Sequence, residues 1–179
     1  SGHAARGRIV VFSPNRTLGS ARRSRGRHRF ARIPAPPAVP FTVIVPTIYG
    51  RMLVNRHDIN QTNALLKTGR AVDHEEIELL AKILRLAPPH PVAVDIGANF
   101  GTYTLRLAAV AGPGGRIHAF EAQRIISYML AGSIALNGLT NVICHNVALG
   151  DREGEVELPQ FDYSCLLYTS DAADDLTRV

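Results

Sequence analysis

With 179 residues, 46% of them apolar, the chain can bury the core of one α/β domain and is too short for two. Its net charge of +5 belongs to one end: residues 1–40 hold nine arginines and no acid, and subtracting nine from +5 leaves −4 for residues 41–179. That balance argues against nucleic acid as the partner of the folded part.

No run approaches the roughly 18–20 apolar residues that cross a bilayer, so no membrane span is expected. The basic start is not followed by an apolar block of signal-peptide length. Two cysteines, Cys144 and Cys165, make no disulfide framework, which favours a reducing compartment and a cytoplasmic location. The sequence says nothing about oligomeric state.

Residues 1–40 draw 24 positions from Arg, Ala, Pro and Gly and show no apolar periodicity. They fit a disordered basic arm, an organelle transit peptide, or translated sequence upstream of the true start. The last is the plainest. At the other end, Cys165-Leu166-Leu167-Tyr168-Thr169-Ser170-Asp171-Ala172-Ala173-Asp174 resembles a translated transposon-type sequencing adapter. On that reading residues 165–179 are a scar and the native sequence runs to about Ser164.

Between these ends the elements follow in order. Phe41–Pro46 and Tyr49–Asn55 are β-branched and aromatic runs that predict a small hairpin. Asn63–Lys67 predicts one or two helical turns closed by Gly69. Asp73, with Glu76 three residues on, has the spacing of a capping box. The helix behind it places Ile77, Leu80 and Leu84 on one face, widened by Leu79, Ile83 and Leu86, and ends at Pro88-Pro89. Residues 41–90 thus form a lead-in. Val92-Ala93-Val94 has the look of a buried parallel strand. A helix over Thr102–Val110, a strand over Arg116–Phe120, a helix over Arg124–Leu136 and a strand over Asn141–Val147 follow, with a fourth strand expected at Glu155–Leu158. In the second helix Ile126, Met129, Leu130 and Ile134 make the apolar side, and Asn137-Gly138 terminates it. Strand–helix–strand–helix–strand with short loops predicts an α/β fold with a parallel sheet over residues 91–164.

Such sheets bind ligands at the carboxyl ends of their strands. The first strand ends in Asp95-Ile96-Gly97-Ala98-Asn99-Phe100-Gly101 and runs into a helix. Asp95 is placed to meet a cationic amine, and the glycines permit a sharp turn and a close ligand. The second strand ends at Glu121, 24 residues beyond Gly97, where an acid can accept both ribose hydroxyls. These features suit any adenosine-containing cofactor. Gly97-x-Asn99-x-Gly101 departs from the G-x-G-x-x-G dinucleotide pattern, and an Asp before the loop favours a cofactor bearing an amino acid. A nicotinamide-dependent Rossmann oxidoreductase is the alternative enzyme, and a non-enzymatic binder using the arginine arm is the alternative outside enzymes.

Four segments in order, Asp95–Gly101, Ala119-Phe120-Glu121-Ala122-Gln123, Leu136–Val142 and Ala148-Leu149-Gly150-Asp151, closely resemble FkbM-type methyltransferases. Tyr49–Asp58 is similar to the lead-in of one branch of that family, and the resemblance covers about residues 47–163. It implies a Rossmann-like class I methyltransferase sheet with helices on both faces, binding S-adenosylmethionine. It also implies methyl transfer to an oxygen of a small-molecule, sugar or lipid acceptor. Asp95, Gly97, Ala98, Asn99 and Gly101 would line the methionine side, Glu121 would hold the ribose, and Asn146 and Ala148 would lie near adenine. Ala122 stands where the family often has proline. The family's later strands, which wall the acceptor site, have no counterpart, so an incomplete sheet, low solubility and catalytic silence are expected.

No catalytic base and no metal site is assigned. Cys144-His145 lacks a second ligand pair and reads as core packing with an outward imidazole. His57 and Asp58 fit an acceptor-site cap or a surface turn. Phe100 and Tyr103 are expected to pack.

Overall fold

The computed structural model describes residues 40–150 together with Gly154 and Tyr163. The lead-in forms an antiparallel hairpin, β1 (Thr42–Thr47) and β2 (Gly50–Asn55), followed by α1 (Gln61–Thr68) and α2 (His74–Arg85). Then β3 (Val92–Ile96), α3 (Thr102–Ala111), β4 (Arg116–Phe120), α4 (Arg124–Leu136) and β5 (Val142–His145) alternate. The three later strands form a parallel sheet in the order β3-β4-β5. The fold is α/β and Rossmann-like.

The register separates the sheet into two unlike faces. Ala93, Ile117 and Val142 lie side by side, as do Ala119 and Cys144, and these pack against Leu107 and Ala108 of α3 and Leu130 and Ile134 of α4. Two crossovers of one hand that step in the same direction place both helices on that face. The other face carries Val92, Val94 and Ile96 of β3, exposed at 65%, 55% and 67%, with His118 and Phe120 of β4 and Ile143 and His145 of β5. The helices expected on this second face have no counterpart among the described residues.

A further layer lies outside the helices. The hairpin rests on α4: Leu53 N–H donates to Ser133 Oγ at 2.9 Å, and Asn137 grips Arg51, accepting its N–H at 2.9 Å and donating to its carbonyl at 2.7 Å. Helix α2 rests on α3 through a two-pronged bond from Arg106 to Glu78, at 2.6 and 2.7 Å. The largest core cluster joins Val45, Met52 and Val54 of the hairpin to Leu65, Ile77, Phe100, Leu105, Ile126 and Met129. Burying so many large apolar side chains between the lead-in and the helices makes them one core.

The elements predicted over residues 41–147 are present, with differences of extent and packing. Helix α4 spans the predicted residues and buries all four expected apolar positions. Strand β5 is shorter than expected. The capping box does not form: Asp73 makes no side-chain cap and instead accepts from Gln61 Nε2 at 3.0 Å. In α2 only Ile77 and Ala81 are buried, while Leu79, Leu80, Ile83 and Leu86 are exposed, because α2 meets α3 along a narrow seam. Strand β3 is not buried on both faces: among the described residues it lies at the sheet's edge with one face uncovered. The two tails and the fourth strand lie outside the described residues. No helix among the described residues is long and apolar enough to cross a membrane.

A contiguous apolar face of this kind promotes association. Changing Val92 and Val94 together to Thr should reduce aggregation in light scattering and leave the unfolding free energy within about 0.5 kcal/mol of wild type for each site, as for exposed sites generally.

Candidate functional site

The segment 95–101 is folded onto the end of β4. Gly97 and Ala98 both donate their N–H groups to the Phe120 carbonyl at 2.9 Å, Asn99 N–H donates to Glu121 Oε2 at 3.0 Å, and Gly101 N–H donates to the Ala98 carbonyl at 2.8 Å. Four main-chain donors of the loop are therefore occupied within the protein. A pyrophosphate needs such donors free. The two glycines differ in what they require. Gly101, at φ +95°, is pressed against Leu130 and Leu105, whereas Gly97, at φ +75°, faces open space.

Two carboxylates stand at the carboxyl ends of the adjacent strands β3 and β4. Asp95, the fourth residue of β3, accepts from Thr104 Oγ1 of α3 at 2.5 Å. Glu121, only 7% exposed, accepts from Asn99 N–H with one oxygen and from Gln123 N–H, at 2.8 Å, with the other. Burial raises the pKa of both above the usual carboxylate range. The Asp95 charge raises Glu121 further, while its two backbone bonds oppose the shift. Neither forms an ion pair among the described residues. Two desolvated acids without a cation, beside an open glycine, make a site suited to a positively charged ligand.

Asn99 adds a third polar group: it sits at φ +49° with its side-chain Oδ1 buried and unpartnered. A buried orphan acceptor calls for a donor such as an ammonium or hydroxyl. An ammonium-bearing sulfonium on a ribose supplies both, so these residues fit S-adenosylmethionine. Two of the three remaining expected positions have structural engagements. Ala98 is buried against Leu130 and Ile134, Ala148 is exposed, and Asn146 donates from Nδ2 to the carbonyls of Glu121 and Ala122 at 2.8 and 3.0 Å. Asn146 thereby fixes the chain that carries Glu121.

Other residues singled out by sequence resolve into supports. Asp58 is buried and accepts from Asn60 and Thr62 N–H groups at the start of α1, and His57 N–H donates to Asn55 Oδ1, so this is a structural turn. Phe100 is buried. The Tyr103 hydroxyl donates to Glu76, and burial with the nearby Asp73 and Glu76 charges raises its pKa strongly. Cys144 packs half-buried, and burial raises its thiol pKa. His145 stacks between Phe120 and His118, with 3.1 Å between its Nε2 and His118 Nδ1. Thr104 and Tyr163 were not legible as site neighbours, because Thr104 reaches Asp95 from α3 and Tyr163 reaches Gln123, beside Glu121, from 40 residues away.

No protein-family model matches the chain, and no curated protein does. Among solved structures it is similar to a SAM-dependent methyltransferase from Agrobacterium tumefaciens, at 14% identity over 62% of this chain and 33% of that one, TM-score 0.44. It is similar to M. jannaschii TYW2 in complex with AdoMet, at 23% identity over 62% and 46%, TM-score 0.45. It is also similar to the O-methyltransferase TomG from Streptomyces achromogenes, involved in tomaymycin synthesis and in complex with SAM, at 26% identity over 44% and 35%, TM-score 0.38. The chain spans less than half the length of each.

The two glycines should separate under mutation. Gly101→Ala, which must displace Leu130 and Leu105, should destabilise the fold by about 2 kcal/mol in denaturant melts. Gly97→Ala should cost about 1 kcal/mol of backbone strain and act mainly on ligand affinity. Asp95 contributes in the opposite direction to a salt-bridged acid. Because its folded pKa lies above 3.8, stability is lost as pH rises from there through the folded value. Asp95→Asn keeps an acceptor for Thr104 and carries no charge. Its melting temperature should exceed wild type at pH 7, with the gap closing toward acid.

Proposed function

We propose that this chain carries the S-adenosylmethionine-binding half of a methyltransferase of the FkbM type. The observation that carries the reading is the pairing of a loop whose main-chain donors are internally occupied with two acids at adjacent strand ends, Asp95 half-buried and Glu121 buried. A dinucleotide would find no pyrophosphate cradle in the 95–101 loop, whereas a sulfonium with an amino group and a ribose finds carboxylates. The four ordered sequence segments support the same assignment.

In this reading Asp95 and the Asn99 side chain receive the amino-acid end, Gly97 leaves room for it, and Glu121 accepts the ribose hydroxyls. Gly101 and Ala98 shape the loop, and Asn146 and Ala148 lie toward the adenine. When bound, the cofactor supplies a methyl group activated on sulfur. The protein's part is to orient donor and acceptor and to shield them from water. The acceptor is proposed to be a hydroxyl of a small molecule, sugar or lipid, in the cytoplasm. Residues 41–164, the span read as native, carry 10 basic and 12 acidic side chains, and their net −2 disfavours nucleic acid.

Titration calorimetry with S-adenosylhomocysteine tests this directly. Wild type should bind, and NAD should not compete. Glu121→Gln should weaken binding by roughly 10- to 100-fold, the loss of hydrogen bonds to a charged group. Binding of NAD without response to S-adenosylhomocysteine would make the oxidoreductase reading the better one. Affinity for S-adenosylmethionine should rise with pH through the raised pKa values of Asp95 and Glu121, since the ionised acids receive the cation.

A further inference from the structure

The acid that borders the site at the end of β4 is not held by its own strand alone. Gln123, the residue before α4, donates its N–H to Glu121 Oε1 at 2.8 Å, and its side-chain Oε1 accepts the Tyr163 hydroxyl at 3.3 Å. Tyr163 is anchored from behind. Its carbonyl accepts from Asn55 Nδ2 at 2.9 Å, and its ring stacks on Phe41 with centroids 6.1 Å apart and planes 28° apart. Asn55 is itself held: fully buried, it accepts from His57 N–H through its side chain and from Thr62 Oγ1 through its carbonyl. The hairpin, α1, Tyr163, Gln123 and Glu121 thus form one continuous run of contacts.

We propose that Tyr163 is a positioning residue for the ribose end of the site, holding Glu121 in its binding geometry through Gln123 and screening it from water. The inference rests on the S-adenosyl reading above. Burial raises the Tyr163 hydroxyl pKa, the Glu121 charge raises it further and Arg124 opposes, which places the ring within electrostatic reach of the acid. The charge acting on Glu121 is Asp95 from β3, and those acting on Tyr163 are Glu121 and Arg124 of α4.

Calorimetry with S-adenosylhomocysteine across pH, on the whole chain, separates the outcomes. Tyr163→Phe, which removes one neutral hydrogen bond, should weaken binding about threefold and leave the pH profile in place. Tyr163→Ala should weaken it roughly tenfold and move the rise of affinity to lower pH, because water reaching Glu121 lowers its pKa. A merely structural role would shift the melting temperature and leave that profile where it was. Unchanged affinity and profile in a folded Tyr163→Ala variant would overturn the inference and leave the S-adenosyl reading intact. Failure of wild type to bind would overturn both. If Tyr163→Ala does not fold, the pair Tyr163→Phe and Gln123→Ala decides: losses that do not add support the coupling, and additive losses refute it.

Discussion

The carbonyl of Phe120 and the carboxylate of Glu121, consecutive on the chain, together accept three N–H groups from the loop that follows β3. That junction locks two parallel strands at the end where a ligand enters. It also fixes what kind of ligand the loop can take. The same N–H groups cannot cradle a phosphate while they are bound to β4, so the loop offers shape and side chains in place of a positive main-chain surface.

The acids at this junction are held at a cost. Both are desolvated, and a neighbouring acid adds to the difficulty of ionising each: Asp73 for Asp95, and Asp95 for Glu121. A fold selected for stability alone would place amides there. Two such acids close to an open glycine and an orphan Asn99 oxygen are the kind of perturbed group that clusters at binding sites. The supports follow from this: Thr104 satisfies Asp95, Gln123 and Asn99 satisfy Glu121, and Asn146 clamps the chain behind it.

The lead-in contributes to the same end. By packing β2 on α4 and α2 on α3, it makes the two helices a supported layer, and the α4 N-terminus that carries Gln123 is tied through Tyr163 to the hairpin. All of this support lies on one side of the sheet. The opposite side, with Val92, Val94 and Ile96 exposed, has no covering layer among the described residues.

Local sequence determined the elements and the position of the acids. Turn glycines, the 3.6-residue apolar spacing of α4 and the alternation of short apolar runs with helical ones are local signals, and they marked the helices, the strands and the loop at Asp95–Gly101. Tertiary structure decided which apolar residues are inside and what each polar group touches. Leu79 and Ile83 have the right spacing for a core, but burial depends on a partner face, and α3 presents only a narrow one. Asp73 and Glu76 have the spacing of a cap, yet Gln61 and Tyr103 reach them from other elements. Gln123 and Tyr163 stand 40 residues apart in the chain and meet only because the hairpin folds across the head of α4. Periodicity records a residue's neighbours along one element. Contacts between elements are set by how whole layers stack, which no local pattern encodes.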